Sequence, residues 1–291
     1  METRELLRKV RHLEIRTRGL VNQIFSGEYH SVFKGRGMSF SEVREYQPGD
    51  EIRMIDWNVT ARFNHPFVKV FEEERELMVI LLVDMSGSQF FGSKTSLKKD
   101  VAAEISAILA FSAMKNNDKV GAILFTDKIE TFIPPRKGRT HTLRIIRELL
   151  SFEPQQPGTS INVALEYLNK VLKKRSIVFL ISDFIDRGYE QALRIAGKRH
   201  DLIGISLIDP RERNLPRVGL LTMRDSENGM MRTIDTSDPR IRASHRIFWD
   251  SQHHQRRSVF QKARLDAIEI SLEQPYMKPL TDFFRRREQR W

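Results

Sequence analysis

The chain has no cysteine among its 291 residues. Disulfides and thiolate metal centres are therefore excluded, and the composition fits a reducing compartment. No apolar stretch approaches the roughly 20 residues that a bilayer-spanning helix needs. The first nine residues, Met1 to Lys9, alternate charge where a signal peptide would carry an apolar core. A cytoplasmic protein without a membrane span is expected. There is no Walker or Rossmann glycine loop, no aromatic-interleaved basic motif of the RNA-binding type, and no internal repeat or low-complexity tract. What is present is length enough for a full core, in one large domain or two small ones.

Charge is biased. Forty-nine Lys and Arg stand against 38 Asp and Glu, a formal net charge of +11. The excess gathers near the carboxyl end, at Arg242 and Arg246, Arg256 and Arg257, and Arg285, Arg286 and Arg287. Such a balance suits nucleic acid, anionic lipid or an acidic protein partner. A solvated surface is the simplest reading, with nucleic-acid binding kept as an alternative.

Hydrophobic periodicity divides the chain. Residues 1–20 read as a charged helix. Residues 21–75 are irregular with short strand-like pieces, turns at Gly35–Gly37 and Pro48–Asp50, and a strand at Phe67–Phe71. From residue 77, strands alternate with helices. Apolar runs at 78–83, 120–125, 176–182 and 202–208 read as buried strands, with an edge strand at 129–133 ending at Pro134. Helical periods fall at 94–115, 140–150, 160–172 and 189–199. A hairpin over 218–236, a basic helix over 239–264, a strand at 268–272 and a helix around 276–288 follow. Alternation of this kind predicts an α/β fold, a doubly wound and mostly parallel sheet covered on both faces.

Chemistry concentrates where two of those strands end. Met78–Val83 runs into Asp84-Met85-Ser86-Gly87-Ser88, a carboxylate and two hydroxyls at alternate positions. Alternate residues can point the same way, and the carboxyl ends of central strands are where open α/β sheets bind ligands. The strand 176–182 also ends in a carboxylate, Asp183, and Gly158-Thr159-Ser160 offers another hydroxyl before a helix. Oxygen-only ligands suit a hard cation, Mg2+ first, with Mn2+ and Ca2+ as alternatives.

The ordered set Asp84, Ser86, Ser88, Thr159 and Asp183 resembles the metal-ion-dependent adhesion site of von Willebrand factor A domains, over roughly residues 77–209. Upstream, Phe40 to Arg62, with Arg44, Glu45, Tyr46, Pro48, Gly49, Asp50, Arg53, Asp56, Trp57 and Arg62, resembles the hallmark of domain-of-unknown-function family 58. Phe71 to Arg75 and the closing Asp282-Phe283-Phe284-Arg285 fit the same pattern, so the resemblance covers nearly the whole chain. Gln89 stands where the family often has Met, outside the ligand positions.

The resemblance implies a von Willebrand A-like fold and a non-enzymatic protein-interaction module. In it a metal held by the five residues takes an acidic side chain of a partner. The implied partner is a MoxR-type AAA+ ATPase or its client, with the chain acting as an adaptor or chaperone-like companion. Three segments are expected: 1–76, carrying the family signature and packed on the main domain; 77–209, the A-like domain; and 210–291, a hairpin and helical extension of the same unit. A hydrolase or phosphotransferase with Asp84 as nucleophile is the competing reading. It lacks a general-base histidine in the local motifs. The Arg44–Arg62 charges read as a salt-bridged motif that anchors the segment to the A-like domain, a packed polar network beside Trp57, with a partner-docking or catalytic surface as the alternative. His253 and His254, adjacent on a helix, point in different directions and read as a solvated face.

Overall fold

A computed structural model describes residues 3–21, 39–63, 65–72, 77–92, 96–154, 158–224 and 229–290. It resolves into two units, residues 33–77 and the rest of the chain. Helix α1 (Thr3–Leu20) belongs to the larger unit. The reason is visible in its contacts. Glu14, although charged, is buried and accepts from Arg139 Nε at 2.7 Å, and Arg16 donates to Glu104 at 2.9 Å.

The smaller unit is an antiparallel pair, β1 (Ser39–Glu45) and β2 (Phe67–Glu72), with a bulge between Phe40 and Glu42. A short helix, α2 (Trp57–Phe63), lies between them in sequence. Gly49 adopts φ +111, in the region only glycine enters cheaply, and closes the Pro48–Asp50 turn. Arg44 holds the turn to the strand with two 2.7 Å bonds to Asp50, a bidentate fork. That hydrogen bonding draws the Asp50 carboxyl below its ordinary range. Asp56 precedes α2 and accepts from the Asn58 and Val59 amides at 3.0 and 3.3 Å. Within the signature Arg44 pairs with Asp50, and Asp56 pairs with Lys69 of β2. The packed aromatic is not found: Trp57 is 66 % exposed, with Arg53 and Arg62 also exposed.

The larger unit is built on β3 (Met78–Asp84), β4 (Lys119–Phe125), β5 (Ile129–Arg136), β6 (Ile177–Ser182), β7 (Asp201–Ile208) and β10 (Asp266–Ser271). Their order is β10-β7-β6-β3-β4-β5, parallel throughout except for β5. The strands are apolar runs because both faces are covered. Between them the chain forms α3 (Lys98–Lys115), α4 (Arg139–Ser151), α5 (Ile161–Val171), α6 (Glu190–Arg199), the single turn α7 (Pro210–Arg213), the hairpin β8 (Leu220–Arg224) and β9 (Met231–Asp235), and α8 (Pro239–Ala263). Helix α9 (Met277–Glu288) follows β10.

Helices α5, α6 and α8 pack on the face carrying Ile80, Leu82, Val178 and Leu180. Helix α9 covers the opposite face through Phe284 against Phe179, where α3 also lies with α4 and α1 stacked on it. Helix α3 is buried from Val101 to Ala113 but for Glu104, which its alanines permit at close approach. Gly204 on β7 is required by the packing of α8. A Cβ there would stand 2.4 Å from the Phe260 ring. The chain passes from β3 to β4 on one side and returns to β6 on the other. The crevice at this reversal, outside the carboxyl ends of β3 and β6, is the position open α/β sheets reserve for ligands.

Candidate metal centre at the carboxyl edge of the sheet

Asp84 ends β3 and is fully buried. Its Oδ1 accepts from the Ser86 amide at 2.9 Å, bending the chain so that Ser86 follows in extended conformation and a 3-10 turn begins at Gly87. Its Oδ2 accepts from the Ser182 hydroxyl on the adjacent β6 at 2.6 Å. The Ser86 and Ser88 hydroxyl oxygens stand 3.2 Å apart. Asp183 follows β6 directly, accepts from the Ile185 amide at 3.2 Å, and is supported by the Ser88 hydroxyl. Asp84, Ser86, Ser88 and Asp183 therefore converge. Only Ser88, at 9 % exposure, approaches the surface.

Thr159 lies on the same rim. The neighbouring Ser160 amide donates to Thr126 O, just past β4, at 2.9 Å, and the Ile161 amide donates to Asp186, past β6, at 2.7 Å. These bonds hold the start of α5 across the carboxyl ends on either side of β3. The segment before it, 155–157, lies outside the described residues.

The electrostatics of the pair are asymmetric. Burial, then the negative charge of Asp183, pushes the Asp84 carboxyl up to about 7, against the hydrogen bonds of Ser182 and Ser86. Burial also disfavours the charge on Asp183. There it is outweighed by Lys98 and by hydrogen bonds from Lys98, Ser88 and Ile185, and the group is held below the ordinary carboxylate range.

Lys98 was not anticipated. Its side chain is fully buried at the first turn of α3, with the ammonium 2.9 Å from Asp183 Oδ2 and 2.6 Å from Glu212 Oε1. Burial alone would lower its pKa, yet the two carboxylates raise it. Glu212 reaches it from α7, whose Asp209 caps the turn through the Arg211 amide at 2.8 Å. Ser182 and Glu212 were also missed as members of the site. A cue for Lys98 exists: it falls in phase with Val101, Ile105 and Ile108, the buried stripe of α3. For Glu212 the cue is the capping-box spacing from Asp209.

The donors fit a hard divalent cation. An octahedron with bonds of about 2.1 Å places adjacent oxygens about 3.0 Å apart, close to the Ser86–Ser88 separation of 3.2 Å. Two facing carboxylates supply negative charge, and burial disfavours the anionic form of one of them. Among the described residues no group of three or more His, Cys, Asp or Glu could hold a metal. Hydroxyls would have to supply part of any ligand set. Beside Asp183 and Glu212, a cavity of about 350 Å³ is lined further by Phe184, Trp249, His253 and Arg256. His254, although exposed, lines the same cavity; burial, the largest effect, and nearby arginines hold the His253 imidazole below its ordinary pKa.

Fold and site together define a doubly wound α/β domain with a carboxylate-hydroxyl cluster at its switch point. The chain belongs to the family described as protein of unknown function DUF58, whose model matches residues 42–256. An uncharacterized protein of Mycobacterium tuberculosis is 33% identical over 242 residues, 82% of this chain and 76% of that protein. The uncharacterized protein YeaD of Bacillus subtilis is 29% identical over 38% of this chain and 25% of its own length. Among solved structures, the conserved hypothetical protein BatB of Bacteroides thetaiotaomicron aligns over 73% of this chain and 99% of its own, at TM-score 0.50 and 16% identity. An aerotolerance-related membrane protein of Bacteroides fragilis aligns over 74% and 100%, at 0.50 and 15%. These likenesses show the fold. Among the described residues no helix of this chain is long and apolar enough to cross a membrane.

Proposed function

We propose that the chain is a non-enzymatic interaction module that binds a divalent cation, Mg2+ first, through Asp84, Ser86, Ser88 and Asp183, with Thr159 joining from the rim. The observation that carries this reading is the Ser86–Ser88 hydroxyl pair, 3.2 Å apart beside two buried carboxylates. A cation held there would supply a coordination position for an acidic side chain of a partner protein. The resemblance to family 58 suggests a MoxR-type AAA+ ATPase or its client as that partner, with this chain as adaptor.

The hydrolytic alternative has less behind it. Asp84 is fully buried and both its oxygens already accept hydrogen bonds, which suits a scaffold better than a nucleophile. Nucleic-acid binding is likewise less favoured, since Arg256 and Arg257 both pair with Glu269 and Arg287 pairs with Asp201 and Asp266.

Affinity purification of the tagged protein with Mg2+ or with EDTA tests the proposal. A partner retained with Mg2+, released by EDTA and lost in Ser86→Ala supports it. Recovery of the same partner under all three conditions overturns it.

A further inference from the structure

We propose that β10 is a receptor edge for an extended acidic peptide, which adds to the sheet as a seventh strand at a site separate from the metal centre. Among the described residues β10 pairs with β7 alone, so its other side ends the sheet. In a parallel ladder alternate residues turn both backbone groups to the same neighbour. The Leu272 amide donates to Ile208 O at 2.9 Å. That phase directs the N–H and C=O groups of Ala267 and Glu269 away from β7, toward the open edge. Ala267 is exposed, whereas the residue after it, Ile268, is buried.

This edge does not face open solvent on a flat surface. It floors a groove of about 1100 Å³ between the end of α8 and the outer face of α9, with Phe260 and Leu265 supplying apolar surface. On α9, Lys278, Asp282, Arg285 and Arg286 recur at helical spacing and are all exposed toward it. Lys278 and Arg286 against Asp282 give that wall a positive balance. On α8, Arg257 is spent on Glu269 at 3.2 Å, so the excess sits on the α9 side.

Edge strands left open are a hazard that proteins usually blunt. The opposite edge is blunted here by Pro134 and Pro135 in β5. A shaped, basic groove over an unblocked edge instead suits strand addition, in which main-chain bonds supply affinity and side-chain contacts supply selectivity. Six residues of β10 offer about 20 Å of edge, enough for a short peptide with acids facing Lys278 and Arg286.

The test is fluorescence anisotropy on the full chain with a labelled peptide alternating glutamate and valine, of the same length as β10. Saturable binding that weakens with salt is expected, together with slowed exchange of the Ala267 and Glu269 amides. Ala267→Pro removes one outward donor while sparing the β7 ladder and should weaken binding roughly three- to tenfold. The doubly substituted Lys278→Glu, Arg286→Glu protein should weaken it by about tenfold or more. It carries only exposed changes, so it keeps the test valid if the proline variant misfolds. Equal binding of a lysine–valine peptide, or of a peptide N-methylated at every residue, would overturn the proposal. So would displacement by a single-stranded oligonucleotide, self-association in place of peptide binding, or no binding at all.

Discussion

Replacing Lys98 with Met would remove the ammonium that two buried carboxylates share. The Asp183 and Glu212 side chains are only 4 % and 11 % exposed, so neither can recover its hydration. Breaking a buried ion pair by deleting one partner costs about 3–5 kcal/mol, a large share of the roughly 5–15 kcal/mol that holds a domain folded. For a chain of this size the melting temperature should fall by roughly 5–8 °C. Glu212→Gln should cost much less, because Lys98 keeps Asp183 at 2.9 Å and the pair stays neutral. The order is therefore Lys98→Met well below Glu212→Gln, read by thermal unfolding in EDTA. Mg2+ supplies a second test. A cation bound at the site stabilises by about 2.7 kcal/mol at a hundred times its dissociation constant. It should rescue Lys98→Met more than it stabilises the wild type, since in the variant it meets Asp183 without a competitor. A Lys98→Met protein that melts within about 2 °C of wild type in EDTA, or below it by no more than Glu212→Gln, would refute the reasoning.

Three further outcomes follow from the same geometry. Ser86→Ala should keep the fold but lose the Mg2+-dependent rise in melting temperature, and a full rise would remove the hydroxyl pair from the ligand set. Because the Asp84 carboxyl is raised to about 7 in the fold, the folded chain binds a proton that the unfolded chain releases near pH 4. Metal-free stability should thus decline as pH rises from about 4 to about 7, by at most about 4 kcal/mol. Asp84→Asn should flatten that slope in denaturant titrations at several pH values, and an unchanged slope would place the proton elsewhere. Gly204→Ala should destabilise by about 1–3 kcal/mol as Phe260 is forced off the sheet, measured by chemical unfolding, and a neutral result would mean that α8 shifts freely.

The sheet was legible because its signals are local. Apolar runs such as Met78–Val83 and Ile177–Ile181 are buried on both faces, and such strands carry their identity in composition alone. Asp84, Ser86 and Ser88 were legible for the same reason, lying within five residues. The β5 strand was read as ending at Pro134, yet it continues to Arg136, since an edge strand needs only alternate amides. Helix α2 left no trace in the pattern. None of its residues is buried, so no apolar stripe records it. Lys98 and Glu212 lie 114 residues apart, and what joins them is the tertiary fold. Helix α1 is tied to the larger unit by ion pairs to Glu104 and Arg139 made across about 90 residues or more, which no local pattern records.

The two borders of the main sheet are chemically unlike. One carries Pro134 and Pro135, where the main chain lacks donors; the other offers the Ala267 and Glu269 amides. The prolines take two donors from the end of β5, so pairing along that border is confined to Ile129–Ile133. β10 contains no proline, and its outward amides are complete. Of the two borders, the β10 side is therefore the one at which a strand, foreign or from a second copy, is added with the fuller ladder.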